Sequence, residues 1–124
     1  MNTADRLQRM MTDLNNSAHL LRLGQLFSET VLFQVGADEF FLFFEKGCIV
    51  GIKSGPSKKI PWRFAFRSDP FAMNEFWKPK PAPGYHDIFG LVKFGKATID
   101  GDILILVKNL RFFKEFLALG KSRE

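Results

Sequence analysis

The N-terminal quarter of the chain carries apolar residues at helical spacing. They recur every three or four positions over residues 4–14, which predicts a first amphipathic helix. A polar break at residues 15–17 ends this pattern. A second helix is predicted from about Ala18 to Ser28, with Gly24 as its weak point.

From Thr30 the apolar period changes to two, which is the period of a β-strand. Turn-like segments at residues 36–38 and 45–47 divide the region into three short strands. Because such short connections join strands that run in opposite directions, the pattern predicts an antiparallel meander.

The middle strand of this meander is apolar on both faces. Phe40, Leu42 and Phe44 are predicted to point one way, whereas Phe41 and Phe43 point the other. Exposed phenylalanines on the second face would be costly, so something must cover them. The sequence leaves three candidates for covering this face: the N-terminal helices, a dimer partner, or an apolar ligand held between sheet and helices.

A further strand over residues 62–67 alternates aromatic and basic side chains. The alternation predicts Trp62, Phe64 and Phe66 on one face and Arg63 and Arg67 on the other. Aromatic rings and guanidinium groups occur together in proteins that bind single-stranded nucleic acid. Since the pattern predicts the two kinds of side chain on opposite faces, no nucleic-acid partner is expected.

Two helices are predicted to follow this strand. Asp69 is a suitable N-cap and Pro70 fits the first turn of a helix. The residues expected on its inner side are Phe71, Met73 (or Ala72), Phe76 and Trp77. Prolines at 79, 81 and 83 then predict an extended loop suited to form the mouth of a cavity, and a short helix is predicted over residues 85–94.

The last third of the chain predicts a glycine-rich strand that leads into a closing helix. Asp102 is a suitable N-cap, and Gly120 is expected to end the helix. Residues 103–119 are apolar over about 200° of the helix circumference, twice the stripe of roughly 100° that a surface helix needs. The closing helix is therefore expected to have a second apolar neighbour besides the sheet.

Composition sets independent bounds on the class of protein. A chain of 124 residues is expected to form one domain without a metal or disulfide, and Cys48 has no second cysteine to pair with. The N-terminal residues lack the apolar core of a signal peptide, and no run is long enough for a membrane span. We therefore expect a protein of the reducing cytoplasm, with a net charge of +5 that is scattered along the chain.

The residues that carry chemistry favour binding over catalysis. The two histidines, His19 and His86, do not have metal-ligand spacing, and Cys48 between Gly47 and Ile49 is predicted to be inert. No serine has the setting of a nucleophile. Fifteen phenylalanines beside one tyrosine offer large apolar area with few hydroxyl groups, which suits a hydrocarbon ligand or an aromatic core. Neither an enzymatic activity nor a cofactor is expected.

The last glycine-rich strand resembles one in the sterol carrier protein 2 family, where a Gly-Lys-apolar-x-Ile-x-Gly-Asp pattern leads into a closing helix. The matching residues here are Gly95, Lys96, Ala97, Ile99, Gly101 and Asp102. The predicted order of helices and strands is also similar over roughly residues 17–119. The resemblance implies an α+β domain, with helices on a small, antiparallel-rich, five-stranded sheet and an apolar tunnel. Residues 1–16 would form an N-terminal helical extension and residues 17–124 a single lipid-carrier-like domain.

The resemblance further implies that the protein binds and transfers an apolar small molecule, such as a sterol-like lipid, a fatty acid or a fatty acyl-CoA. A transient membrane contact and a homodimer stay open as further partners. The main alternative is a dimeric interaction protein or accessory subunit that uses the same aromatic surfaces as an interface. The residues predicted to line the ligand site are Phe41, Phe43, Phe64, Phe66, Phe76, Trp77, Phe89, Phe112 and Phe116.

Overall fold

The structure, a computed structural model, describes residues 2–122. The described part contains six helices and five strands. In chain order they are α1 (Thr3–Asn15), α2 (Ala18–Leu23), β1 (Thr30–Val35), β2 (Asp38–Glu45), β3 (Cys48–Ser54), β4 (Phe64–Ser68), α3 (Pro70–Phe76), α4 (Ile88–Lys93), β5 (Ala97–Gly101), α5 (Ile103–Lys108) and α6 (Leu110–Ala118).

The five strands form one mixed sheet in the order β3-β2-β1-β4-β5. The meander of β1, β2 and β3 is antiparallel, as the short turns predict, and β5 pairs antiparallel with β4. The central pair, β1 with β4, is parallel, with Val31 opposite Phe64. The expectation of an α+β domain with an antiparallel-rich, five-stranded sheet is therefore confirmed.

The main core lies between one face of the sheet, the inner face, and the helices. Alternate residues of β1 and β2 point into it, and Phe33 lies between Phe40 on one neighbouring strand and Phe66 on the other. The rings of Phe33 and Phe66 are stacked with centroids 6.0 Å apart. The strand period of two, extended across paired strands, therefore produces one continuous aromatic layer.

The outer face of the sheet is covered by the chain segment 55–63 rather than by any of the three covers expected. Phe41 packs there with Leu32 and Ala65, and Ile60 and Trp62 lie against this cluster. The segment must pass from β3 at the sheet edge to β4, which lies beyond β2 and β1 in the strand order. Because the connection crosses the outer face, it buries Phe41 completely.

Helix α1 packs into the main core through Leu7, Met10 and Leu14, all fully buried. At its end, the Asn15 side chain donates to the carbonyl of Ile49 and accepts from the Ile49 amide, both at 2.9 Å. Asn15 thus hydrogen-bonds to the edge strand β3 as a neighbouring strand would. Residues on both sides of position 16 contribute to this core.

The second helix is shorter than predicted, because α2 ends at Leu23. A Cβ at Gly24 would lie 2.5 Å from the ring of Phe112 and 2.9 Å from the backbone of Gly47. Close packing of the chain at Gly24 against α6 and the turn after β2 therefore requires glycine.

The closing helix is divided into α5 and α6 at Asn109, whereas the sequence predicts a single helix over residues 103–119. The Asn109 side chain donates to the carbonyl of Ile105 at 2.9 Å, and its backbone amide donates to Leu106. Helix α6 buries Phe112, Phe113, Phe116 and Leu117, whereas α5 leaves Ile103, Leu104 and Val107 exposed. The wide apolar arc is thus divided between two short helices with different surroundings.

Three aspartates begin helices, and two of these caps follow from the sequence. The Asp69 side chain accepts from the Ala72 amide at 2.7 Å, and Asp102 accepts from the Ile105 amide at 3.2 Å, as expected. Asp87 caps α4 by accepting from the Phe89 amide at 3.1 Å. Helix α4 therefore begins three residues later than the segment 85–94 predicts. No helix among residues 2–122 combines the length and apolarity that crossing a bilayer requires.

Candidate functional site

The inner aromatic layer brings together six of the nine residues predicted to line a ligand site. All six are buried, and they come from β4, the end of α3 and α6. They are Phe64, Phe66, Phe76, Trp77, Phe112 and Phe116. The sheet supplies one wall of this layer and the helices the other, so a molecule held here would contact apolar groups on both sides.

Phe41 and Phe43 do not join this layer. Both belong to the outer cluster under segment 55–63, on the opposite face of the sheet from Phe64 and Phe66. Successive residues of β2 point to opposite faces, so Phe41 and Phe43 cannot share the inner face with Phe40, Leu42 and Phe44. The grouping of all nine residues around one chamber is therefore wrong for these two.

Phe89 occupies the margin of the inner layer. It lies on the six-residue helix α4, is half-buried and packs against the main core. The Lys114 ammonium group lies 5.7 Å from its ring centroid and donates to the Asp87 carboxylate at 2.9 Å. Burial alone would raise the pKa of Asp87, but hydrogen bonds from Lys114 and the Phe89 amide lower that pKa overall. These contacts attach α4 to α6 at the edge of the layer.

Several phenylalanines of the layer are missing from the prediction. Phe27, Phe33, Phe44 and Phe113 are buried among the same rings. The rings of Phe44 and Phe116 meet edge to face with centroids 5.4 Å apart, and those of Phe64 and Phe113 do so with centroids 5.2 Å apart. The shared inner-face period of Phe33 and Phe44, and the position of Phe113 one residue after Phe112, are signals that could have found them.

Trp77 fixes the end of α6 against the layer. Its indole Nε1 donates to the carbonyl of Leu117 at 2.9 Å. A Cβ at Gly120 would lie 2.4 Å from that nitrogen, so Gly120 permits this close approach. From the other side, Arg9 donates to the carbonyl of Leu119 at 2.8 Å, and Arg6 donates to that of Gly120. The free carbonyl groups at the end of α6 are thus satisfied by cations of α1.

An apolar surface cavity of about 430 Å³ is lined by residues that precede and follow α4 in the chain, namely Pro83, Gly84, Tyr85, Phe94 and Lys96. The proline loop predicted to form a mouth contributes Pro83. Phe94 is largely exposed, and so is Phe71, which the sequence places on the inner side of its helix. Phe71 lies in the first turn of α3 and packs instead on Tyr85, with ring centroids 6.0 Å apart.

A second cavity of about 240 Å³ opens between α4 and α6. Phe76, Ile88 and Ala118 line it together with His86, Asp87, Lys114 and Lys121. Lys121 donates to the carbonyl of Phe76 at 2.7 Å, and burial lowers its pKa. This cavity is more polar than the first, and its floor includes one ring of the inner layer.

Polar chemistry is scarce in the interior. Among residues 2–122 the buried polar side chains are Ser68 and Glu75. Glu75 accepts from Lys78 at 2.7 Å and from the Ala82 amide at 3.0 Å, and these hydrogen bonds lower its pKa. Glu75 thus holds the proline loop in place. No cluster of three potential metal ligands occurs in the described part of the chain.

The aromatic and basic strand differs from its predicted pattern at Trp62. Strand β4 begins only at Phe64, and Trp62 packs against the outer cluster instead of the inner layer. The guanidinium carbon of Arg67 lies over the Trp62 ring, 5.5 Å from its centroid. The expected separation of rings from arginines therefore fails for this pair. Both guanidinium groups have acidic partners, however: Arg63 pairs with Glu29 and Asp102, and Arg67 with Asp100.

Comparisons with known proteins match the fold but not the sequence. No family model matches the chain, and no curated protein sequence matches it significantly. A conserved hypothetical protein of Thermus thermophilus is structurally similar with a TM-score of 0.75 at 14% identity, covering 100% of this chain and 92% of that chain. A crystal structure of sterol carrier protein 2 also gives a TM-score of 0.75 at 14% identity, covering 95% of each chain.

A third solved structure, named a UbiJ-SCP2 ubiquinone synthesis protein, gives a TM-score of 0.64 at 16% identity. It matches over 96% of this chain and 95% of its own. Each of the three structural matches covers at least 95% of this chain. The chain therefore has the sterol carrier protein 2 fold, as the resemblance of its last glycine-rich strand implies.

Proposed function

We propose that the protein binds a single apolar molecule between the inner face of its sheet and its helices, and transfers it without catalysis. The observation that carries the proposal is the inner aromatic layer, which presents rings from the sheet and from two helices with no charged side chain among its described members. Such a surface fits a hydrocarbon and offers no group for acid-base or nucleophilic chemistry. The ligand class is a sterol-like lipid, a fatty acid or a fatty acyl-CoA.

The structural relatives support this ligand class. One is named sterol carrier protein 2, and another is named a ubiquinone synthesis protein. Sterols and ubiquinone are both largely hydrocarbon. A shared fold does not by itself carry a shared ligand, so the proposal rests on the layer and takes the relatives only as support.

The energetics of burial are sufficient for such a ligand. Each buried methylene contributes about 0.8 kcal/mol, so ten of them contribute roughly 8 kcal/mol. The costs of ordering and of lost translational freedom amount to several kcal/mol. A longer chain or a ring system offsets these costs, and a dissociation constant on the order of micromolar follows.

The binding residues proposed are six rings of the inner layer, Phe64, Phe66, Phe76, Trp77, Phe112 and Phe116, together with Phe89 at its margin. Their rings fill the space between sheet and helices, so a ligand must separate them. Helix α4 is the element proposed to move, because it has only six residues and Phe89 lies on it at the margin of the layer. Ile88 and Leu91 of α4 face the core.

A matched pair of substitutions tests which side of the sheet holds the ligand. Phe89 and Phe43 are both half-buried phenylalanines, but Phe89 borders the inner layer and Phe43 the outer cluster. Phe89→Gln is expected to weaken binding of a fluorescent fatty acid at least about fivefold, because an amide without a partner costs about 1–3 kcal/mol in an apolar site.

Phe43→Gln is the control and is expected to leave the affinity unchanged. The measurement is a fluorescence titration of each purified variant, with circular dichroism to show that both are folded. Equal affinities for the two variants, or a loss confined to Phe43→Gln, would contradict the proposed site.

A further inference from the structure

We propose that the protein docks on anionic lipid bilayers through an aromatic and basic patch formed by Phe71, Tyr85, Lys93, Phe94 and Lys96. The inference deepens the proposed function and rests on it in one respect, since it names the surface where an apolar ligand would pass between protein and membrane. The docking itself requires no bound ligand.

The aromatic part of the patch is continuous and exposed. Phe71 is 65% exposed and Phe94 is 61% exposed, which is unusual for side chains of this size. Tyr85 joins them: its ring packs edge to face on Phe71 at 6.0 Å, and with Phe94 it lines the cavity of about 430 Å³. Contiguous apolar surface rimmed by polar groups is typical of an interaction site.

The rim of the patch is basic. The Lys93 ammonium group lies 5.8 Å from the Phe94 ring centroid, and Lys96 lines the cavity. Residues 78–96 contain four lysines, of which Lys78 pairs with Glu75, and one aspartate, Asp87, which accepts from Lys114. Two further acids lie near the patch: Asp69 caps α3 through its hydrogen bond to the Ala72 amide, and Glu75 pairs with Lys78.

This combination fits a lipid surface better than a second copy of the chain. Aromatic rings are stable at the boundary between head groups and acyl chains, and each nearby lysine contributes about 1 kcal/mol on an anionic membrane. Two copies meeting through this patch would instead bring lysines of the same sign together, which is unfavourable.

The position of the patch also suits transfer. Phe94 immediately follows α4, and Pro83, Gly84 and Tyr85 precede it. The opposite side of α4 contributes Ile88 and Leu91 to the core. A bilayer docked on the patch would therefore contact Lys93 at the end of the helix whose Ile88 and Leu91 belong to the main core.

The test is co-sedimentation of the ligand-free protein with vesicles. We expect binding to vesicles of equal parts phosphatidylcholine and phosphatidylglycerol, little binding to pure phosphatidylcholine, and release by high salt. The double variant Phe71→Ser with Phe94→Ser is expected to weaken binding at least about tenfold, because each ring loses its apolar contact with the bilayer. Both positions are exposed, so the variant is expected to fold.

The control is the double variant Leu26→Ser with Val50→Ser, which removes side chains that are 92% and 63% exposed outside the patch. It is expected to bind vesicles as the unmodified protein does. Three results would overturn the docking proposal: no binding to anionic vesicles, equal binding by both double variants, or a dimer in sedimentation that the Phe71 and Phe94 changes abolish.

Titration of the same proteins with a fluorescent fatty acid separates this inference from the proposed function. Vesicle binding without fatty acid uptake would contradict the carrier and leave the docking surface intact. Fatty acid uptake without vesicle binding would contradict the docking surface and leave the carrier function intact.

Discussion

Replacing Phe116 by alanine is expected to lower the free energy of unfolding by about 3–5 kcal/mol, the usual cost of removing a buried aromatic ring. Phe116 is fully buried and contacts Phe44 and Phe113 in the inner layer. The same change is expected to enlarge the space available to a ligand. A long-chain fatty acid should therefore stabilise the Phe116→Ala variant more than it stabilises the unmodified protein, which thermal and urea unfolding with and without ligand would measure.

Phe41→Ala provides the control for this experiment. Phe41 is also fully buried, but it lies in the outer cluster under segment 55–63. The Phe41→Ala variant is expected to lose a similar free energy of unfolding. The fatty acid is expected to stabilise this variant no more than it stabilises the unmodified protein. If ligand stabilised both alanine variants equally, the inner layer would not be the binding site.

Gly101→Ala is the second change with a large expected effect, a loss of about 3 kcal/mol in the free energy of unfolding. Gly101 has φ +94°, where an L-residue is strained by about 1–2 kcal/mol. A Cβ there would lie 2.6 Å from the carbonyl oxygen of Arg63 and 3.0 Å from the Cα of Phe64. Because these atoms belong to the backbone leading into and beginning β4, relieving the overlap costs about a further 1–3 kcal/mol.

Gly95→Ala is the matched control, since it belongs to the same glycine-rich segment. Gly95 also has a positive φ, +72°, but nothing lies within 4 Å of its added Cβ. Only backbone strain remains, so a loss of about 1 kcal/mol is expected. Denaturant unfolding of the two variants gives the comparison, and equal losses would show that crowding at β4 is not what requires glycine at position 101.

The sequence predicts those parts of the fold that depend on local chemistry. The meander follows from period-two strands joined by short turns, and the caps Asp69 and Asp102 follow from side chains that hydrogen-bond within one helical turn. The pattern in Gly95–Asp102 also led to the correct fold, although no sequence comparison detects it. Each cap or turn, and the glycine-rich pattern itself, spans fewer than ten residues of chain.

The sequence predictions that fail concern features that are set by tertiary contacts. Alternation assigns Trp62 to the face of Phe64 only if the strand already includes Trp62, and the structure begins β4 two residues later. Similarly, nothing local shows that segment 55–63 crosses the outer face and covers Phe41. The break at Asn109 and the exposure of Phe71 and Phe94 depend in the same way on which elements lie beside them.

The candidate site could be predicted only in part for the same reason. A count of phenylalanines and their periodicity identifies an aromatic interior, but a strand with rings on both faces gives no sign of which face meets the helices. Six predicted residues lie in the inner layer and Phe89 lies at its margin, whereas Phe41 and Phe43 lie behind the sheet. Which residues share the inner face depends on the pairing of β1 with β4, and the paired residues lie more than 30 positions apart in the sequence.

Native mass spectrometry of the purified protein, followed by organic extraction, tests the central claim most directly. The carrier account predicts one apolar molecule per chain, either carried through purification or taken up after incubation with fatty acids, fatty acyl-CoA and sterols. Extraction would identify its chemical class. A protein mass that stays free of adducts after incubation with all three ligand classes would contradict the account.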